Sequence, residues 1–251
     1  MTNLPRKKMN LTLVAKSIIG LGIIVLLCST VVLYNPQLTK PKVENKILKT
    51  KDTKDITLPV ALTDPASVTV LVDKKHGLSK EYIPENLTAP YLNSTADVIQ
   101  LRSDAATSAK AMYDKAKAES IPLFFTFGYL SYAQQKDFYE NQVSLRGKEE
   151  ASKSIPKPGF SENQTGLAFD VTDTANGNNN LQFKDTNTFK WLCTHAHEFG
   201  FILRYPENKE KFTDYNFMPW HWRFVGIDTA QKMFAKGGVN LTFEEYFQIQ
   251  K

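Results

Sequence analysis

Apolar and polar positions fall into three regimes along the chain. From Ser17 to Tyr34 eighteen residues pass without a charge, behind Arg6, Lys7 and Lys8. At about 1.5 Å rise per residue, such a run nearly crosses a hydrocarbon core of roughly 30 Å. From 35 to 67 the chain turns rich in Lys, Thr, Asp and Pro and poor in aromatics, the composition of an extended stalk. From Val68 onward short apolar runs alternate with helix-forming stretches, and a folded domain is expected over 68–251. Val68–Val72 is a β-branched run that predicts a first strand, and the Ala-rich stretch Ala96–Ser120 predicts a long amphipathic helix. Leu123–Phe127 reads as a buried strand and Ala133 to about Leu145 as a helix. Leu167–Val171 and Trp222–Val225 read as further strands, with a helix Asn187–Phe199 between them that Gly200 ends. Strands and helices in mixed order, without regular βαβ alternation, predict an α+β domain.

The uncharged run divides the N-terminal part further, into a basic tail over 1–10 and a transmembrane signal anchor over 11–34. It is longer than a usual signal-peptide core and no Ala-x-Ala-like site follows it, which favours an uncleaved anchor over a cleaved signal peptide. Cys28 offers a lipoprotein reading, which Leu27 opposes by standing where a small residue is needed. Charge does not settle orientation, because Arg6, Lys7, Lys8 and Lys16 precede the run and six lysines from Lys40 to Lys54 follow it. The signal-like order of the N-terminus and the sparse cysteines favour a single-pass membrane protein with its C-terminal domain outside the cell. Cys28 lies in the apolar run and Cys193 stands alone, so no disulfide is available to the folded domain.

Composition narrows the class. With 251 residues, 42% of them hydrophobic and 23% charged, there is length for a full core, which excludes a disordered tail or a disulfide mini-protein. Of 31 Lys and Arg and 26 Asp and Glu, residues 1–67 hold ten and four, leaving 21 and 22 in 68–251. The domain is thus close to neutral and lacks the basic excess that nucleic-acid binding requires.

Polar residues interrupt the apolar segments most densely at Ser161-Glu162-Asn163-Gln164-Thr165-Gly166-Leu167-Ala168-Phe169-Asp170 and at Met218-Pro219-Trp220-His221-Trp222-Arg223. With Gly128-Tyr129-Leu130-Ser131 and Gln135, these stretches resemble the VanY-type D-alanyl-D-alanine carboxypeptidases, zinc peptidases of the LAS group. The resemblance extends to Leu71–Pro84, similar to the family's opening segment, and to Gly200–Pro206, similar to its central strand and turn. It covers about residues 68–249. It implies a compact LAS-type metallopeptidase domain with a small antiparallel sheet beneath a cleft.

The family pattern is Ser-x-His-x-x-Gly-x-Ala-x-Asp followed by Glu-x-x-His, with two His and the Asp on zinc and the Glu as general base and acid. Three protein ligands leave one position open for a water that the metal acidifies. An Arg in a Ser-Gly-Tyr-Arg-Ser-like segment clamps the substrate's terminal carboxylate, a role suited to its planar fork. Ser161, Gly166, Ala168, Asp170, Trp220, His221 and Gln135 match this pattern. Three positions depart: Asn163 replaces the first zinc-binding His, Met218 the catalytic Glu and Leu130 the clamp Arg. Asp170 and His221 then remain as two metal ligands of three, and Ser161, Gln135 and Trp220 as substrate-binding residues. No catalytic residue is assigned.

Asn is a poor zinc donor and two strong ligands are too few for a catalytic zinc. Methionine carries no proton, and leucine cannot pair with a carboxylate. Rescue from elsewhere is not expected. His195 and His197 lie two apart on a helix and point about 200° apart, His76 lies in the opening segment, and Glu162, in a locally extended segment, points away from Asn163. Without the resemblance, Asp170 reads as a turn or cap residue, Trp220 and Trp222 as core aromatics, His195 and His197 as structural, and Arg204 as an ion-pair partner.

The reading is a membrane-anchored VanY-like domain at the bacterial envelope, without peptidase activity and without a cofactor. It binds or regulates, with peptidoglycan stem peptides or an envelope protein as partner and no nucleic acid. Two alternatives stay open: an active zinc carboxypeptidase that trims peptidoglycan precursors, and a protein-interaction module whose cleft is idle.

Overall fold

The computed structural model describes residues 58–95, 98–175, 177 and 179–250. The expected tail, anchor and most of the stalk lie outside the described residues. Among the described residues no helix is long and apolar enough to cross a membrane.

A short helix α1 (Val60–Thr63) opens the described chain, followed by a two-stranded antiparallel ribbon of β1 (Leu87–Thr88) and β2 (Leu101–Arg102). Helix α2 (Ser103–Ala118) leads into β3 (Phe124–Phe127), α3 (Tyr132–Arg146) and the single turn α4 (Lys148–Ala151). After a 3₁₀ turn at Glu162–Thr165 come β4 (Ala168–Thr172), α5 (Asn187–His195) and β5 (Phe201–Leu203). The chain ends with α6 (Glu210–Thr213), β6 (His221–Phe224), α7 (Ile227–Gly237) and α8 (Phe243–Phe247). The main sheet has the order β3-β4-β6-β5, every pair antiparallel, so the α+β class and small antiparallel sheet are present.

Alternation along the strands divides the sheet into two faces. One face is apolar: Phe125, Phe169, Phe201 and Phe224 form a run of rings with centroids 4.9, 4.8 and 5.3 Å apart. Helix α2 buries Ala105, Ala109, Met112 and Ala116 in the same core, the i, i+3, i+4 stripe of an amphipathic helix. A second cluster gathers Leu62, Leu71, Ile202, Val225, Met233 and Phe243. The other face of β4 and β6 carries Asp170, His221 and Arg223.

Several expectations shift. Val68–Val72 forms no strand; Val70, Leu71 and Val72 are buried within irregular chain. Their apolarity serves packing, and the backbone is held instead by bonds such as Leu71 N–H to Leu62 O at 2.9 Å. That bond, with Leu62 buried, also brings part of the segment read as stalk into the folded body. The long helix begins at Ser103 instead of Ala96, because Leu101 and Arg102 pair with Thr88 and Leu87. Phe201–Leu203, similar to a central strand, lies at the sheet edge. The helix expected over 187–199 is α-helical to His195 and closes as a 3₁₀ turn before Gly200, at φ +86°. A Cβ at Gly200 would stand 2.6 Å from the Phe224 ring.

Candidate functional site

Antiparallel pairing of β4 with β6 sets Asp170 directly opposite His221. Such cross-strand partners hold their side chains within contact of each other. Here they bond: His221 Nδ1 lies 2.7 Å from Asp170 Oδ1. The other Asp170 oxygen accepts from Asn179 Nδ2 at 2.6 Å, and Asn179 Oδ1 in turn accepts from Thr126 Oγ1 at 2.8 Å. Both oxygens of Asp170 are therefore engaged by protein groups.

The 3₁₀ turn before β4 sends neighbouring side chains to different places. Ser161 caps it, its Oγ accepting from Asn163 N–H at 3.3 Å and donating to Asn163 Oδ1 at 3.3 Å. Asn163 Nδ2 donates to Gly128 O at 2.8 Å. Only glycine fits at 128, since a Cβ there would stand 2.5 Å from Gln100 O.

Glu162 and Asn163 do reach different partners, as expected, but through a 3₁₀ turn and not an extended segment. The turn is helical, so Glu162 is fully buried and reaches behind His221, its Oε2 3.4 Å from Nε2. Its Oε1 accepts from Arg204 Nε at 2.7 Å and from Arg223 Nη1 at 2.8 Å. Arg204 also grips Glu244 through two bonds of 2.8 and 3.1 Å, so it is an ion-pair partner, as read from the sequence.

Burial alone would lower the pKa of His221, but the hydrogen bonds and charges of Asp170 and Glu162 outweigh it and push the imidazole up to about 9. Burial alone would raise Glu162, yet the Arg204 and Arg223 guanidiniums hold its carboxyl well below the usual range. His221 is thus an imidazolium between two carboxylates at neutral pH.

In front of these residues opens a cleft of about 550 Å³, lined by Ser161, Asn163, Asp170, His221, Gln135 and Trp220 among others. Leu130 and Met218 also line it. Gln135 is buried with its amide committed to Pro156 O at 2.7 Å, while Met218 packs with Tyr205, Tyr215 and Trp220. His76, His195 and His197 are not among the lining residues. They bond Asp73 at 2.9 Å, stack on Trp191 and stack on Phe234 respectively. Burial pushes the Cys193 thiol up to about 12, which leaves it inert.

Residues 98–227, more than half of the chain, match the sequence model of VanY, D-alanyl-D-alanine carboxypeptidase. The chain belongs to the VanY family. Among relatives of this family, the putative carboxypeptidase YodJ of Bacillus subtilis (strain 168) is 40% identical over 195 residues, covering 76% of this chain and 70% of that protein. The LdcB LD-carboxypeptidase structure, described as revealing the molecular basis of peptidoglycan recognition, superposes with a TM-score of 0.67 at 38% identity. It covers 74% of this chain and 88% of that one. The structure of VanYB in complex with D-alanine-D-alanine superposes with a TM-score of 0.60 at 26% identity, covering 72% and 98%. The VanY fold of this chain is that of the LAS-type metallopeptidases.

The zinc that the VanY family implies does not fit the residues present. A metal needs lone pairs that converge on open space. Asn163 turns its amide to Gly128, the Asp170 oxygens are taken by His221 and Asn179, and the Nδ1 of His221 faces Asp170 directly. No group of three His, Cys, Asp or Glu able to hold a metal occurs among the described residues. One of the residues that shape the site, Asn179, gave no cue in the sequence, since it lies in a bend with no motif.

Proposed function

We propose that this VanY-family protein recognises peptidoglycan stem peptides in its cleft without hydrolysing them. The observation that carries the reading is the direct 2.7 Å contact between Asp170 and His221, with Asn163 turned to Gly128. A hydrogen-bonded set of this kind holds its shape without a metal, whereas zinc-assisted hydrolysis requires a metal-bound water and a carboxylate to take its proton. Met218 supplies no such carboxylate, and loss of a positioned acid/base costs on the order of 10²- to 10⁴-fold in rate. Support for a stem-peptide ligand comes from the relatives: one structure is a complex with D-alanine-D-alanine and another is described by peptidoglycan recognition. The uncharged run within 11–34 would hold the domain at the outer face of the cell membrane, where such peptides are exposed.

The test is made on the purified full chain. Elemental analysis should find no zinc above background, and incubation with a stem pentapeptide should release no D-alanine. Titration with the same peptide should shift tryptophan fluorescence through Trp220. One zinc per chain with chelator-sensitive D-alanine release would make the protein an active carboxypeptidase, as the name of its Bacillus relative describes. Silence in all three assays would favour an idle cleft on a protein-binding module. The triple variant Asn163→His, Met218→Glu, Leu130→Arg should acquire stoichiometric zinc.

A further inference from the structure

One face of α3 forms a long wall of the cleft. Gln135, Phe138, Gln142 and Arg146 all line it, and spacings of three, four and four residues hold them on a single helical stripe. The N-terminal end of α3 starts at the site itself, where Leu130 N–H donates to Asn163 O at 3.3 Å. At about 1.5 Å per residue, the steps from Gln135 to Arg146 carry the stripe roughly 16 Å away from that end. A trough of this length takes about five residues of extended chain, at roughly 3.3 Å each.

Charge along the trough is unevenly committed. Of the lining residues, Asp170, His221 and Arg146 are ionisable as acid, imidazole or guanidinium. The first two are bonded to each other. Arg146 is exposed and makes no hydrogen bond or ion pair among the described residues. Glu150, whose carboxyl senses Arg146, is held by Lys153 at 2.8 Å. A guanidinium is suited to bind a carboxylate through its two parallel N–H groups. Leu130, beside Asn163, has no such capacity, so the cleft's free cation stands at the far end from the metal-less site.

We infer that Arg146 reads a carboxylate on the ligand three to four residues upstream of the end seated beside Asn163. This rests on the stem-peptide reading above and sharpens it. A stem pentapeptide whose second residue is a γ-linked glutamate carries a free α-carboxylate at that distance; amidation of that group removes the charge. The cleft then selects the free acid over the amidated form.

The experiment compares two synthetic stem pentapeptides that differ only in this group, free or amidated, titrated into the full chain and its variants by calorimetry. Wild type should bind the free acid about 5- to 10-fold more tightly, a preference that weakens at high salt. Arg146→Glu should abolish or reverse the preference, and Arg146→Lys should keep part of it. The exposed position leaves folding intact, which circular dichroism checks. Equal binding of both peptides to wild type, or a preference unchanged in Arg146→Glu, overturns the role of Arg146 while peptide recognition stands. If neither peptide binds wild type, the recognition reading falls and the role of Arg146 falls with it.

Discussion

Glu162 and Asn163 are adjacent in sequence, both buried, and belong to two different kinds of polar cluster. Behind His221, Glu162 joins Arg204, Arg223 and Glu244 in a network whose members are all at most 2% exposed. In front of it, two separate hydrogen-bonded pairs line the cleft, Ser161 with Asn163 and Asp170 with Asn179. The rear network balances full charges in a dry interior, where loss of one partner strands another. The front cluster is built mainly from neutral amides and hydroxyls, which can be exchanged singly at small cost. His221 touches both, with Nδ1 to the front and Nε2 to the rear. The network behind His221 and the residues facing the cleft are therefore different sets, and Leu130, Asn163 and Met218, where the sequence departs from the pattern it resembles, all line the cleft.

The largest expected effect lies at the rear. Glu162→Gln keeps the shape and removes the carboxylate that serves Arg204 at 2.7 Å and Arg223 at 2.8 Å. Arg204 keeps Glu244, but Arg223 is left with the carbonyls of Val68, Val70 and Phe224. Breaking a buried ion pair from one side costs about 3–5 kcal/mol, to be read from the midpoint of chemical denaturation. A loss below about 1 kcal/mol would mean that the rear cluster is as replaceable as the front.

His221 supplies the next test, because it couples the two clusters through one proton. Its folded pKa is raised, to about 9, above the ordinary value near 6.5. A raised folded pKa contributes stability that is fully present below pH 6.5 and lost as pH rises through 9. The loss should amount to about 3 kcal/mol across that window, measured as a falling denaturation midpoint. His221→Gln should flatten the slope. A stability that rises with pH over the same range would place the proton elsewhere.

Much of this arrangement was legible before the structure, and the reasons differ by element. Phe124–Phe127 announces itself as a short apolar run, whereas Ala168–Thr172 and His221–Phe224 alternate core positions such as Phe169, Val171, Trp222 and Phe224 with polar ones on the other face. Helix α3 is announced by Ser131 and Gln134, which form a reciprocal capping box. The run Val68–Val72 misled because β-branched residues bury equally well in irregular chain when their backbone groups find other partners. The departures at 130, 163 and 218 could be read from the motif, but the partners that the residues there take could not. The bond from Asn163 to Gly128 joins residues 35 apart, and the rear network joins Glu162 to residues 42 and 61 positions away. Such pairings follow from topology, which no local pattern carries. α7 and α8 were also missed, lying beyond the last motif.

The smallest effect sharpens the comparison most. Asn163→Ala removes one bond to Gly128 O at 2.8 Å and weaker contacts with Ser161 at 3.3 Å, without stranding a charge. A neutral hydrogen bond contributes about 1 kcal/mol, so denaturation should shift by about that much. The β4–β6 pairing and the Asp170–His221 bond do not depend on this amide, so the imidazole resonances of His221 should stay in place in the variant's NMR spectrum. A loss as large as that of Glu162→Gln would show that Asn163 is a structural member of the fold. A small loss, with peptide affinity reduced, would show an amide that serves the cleft.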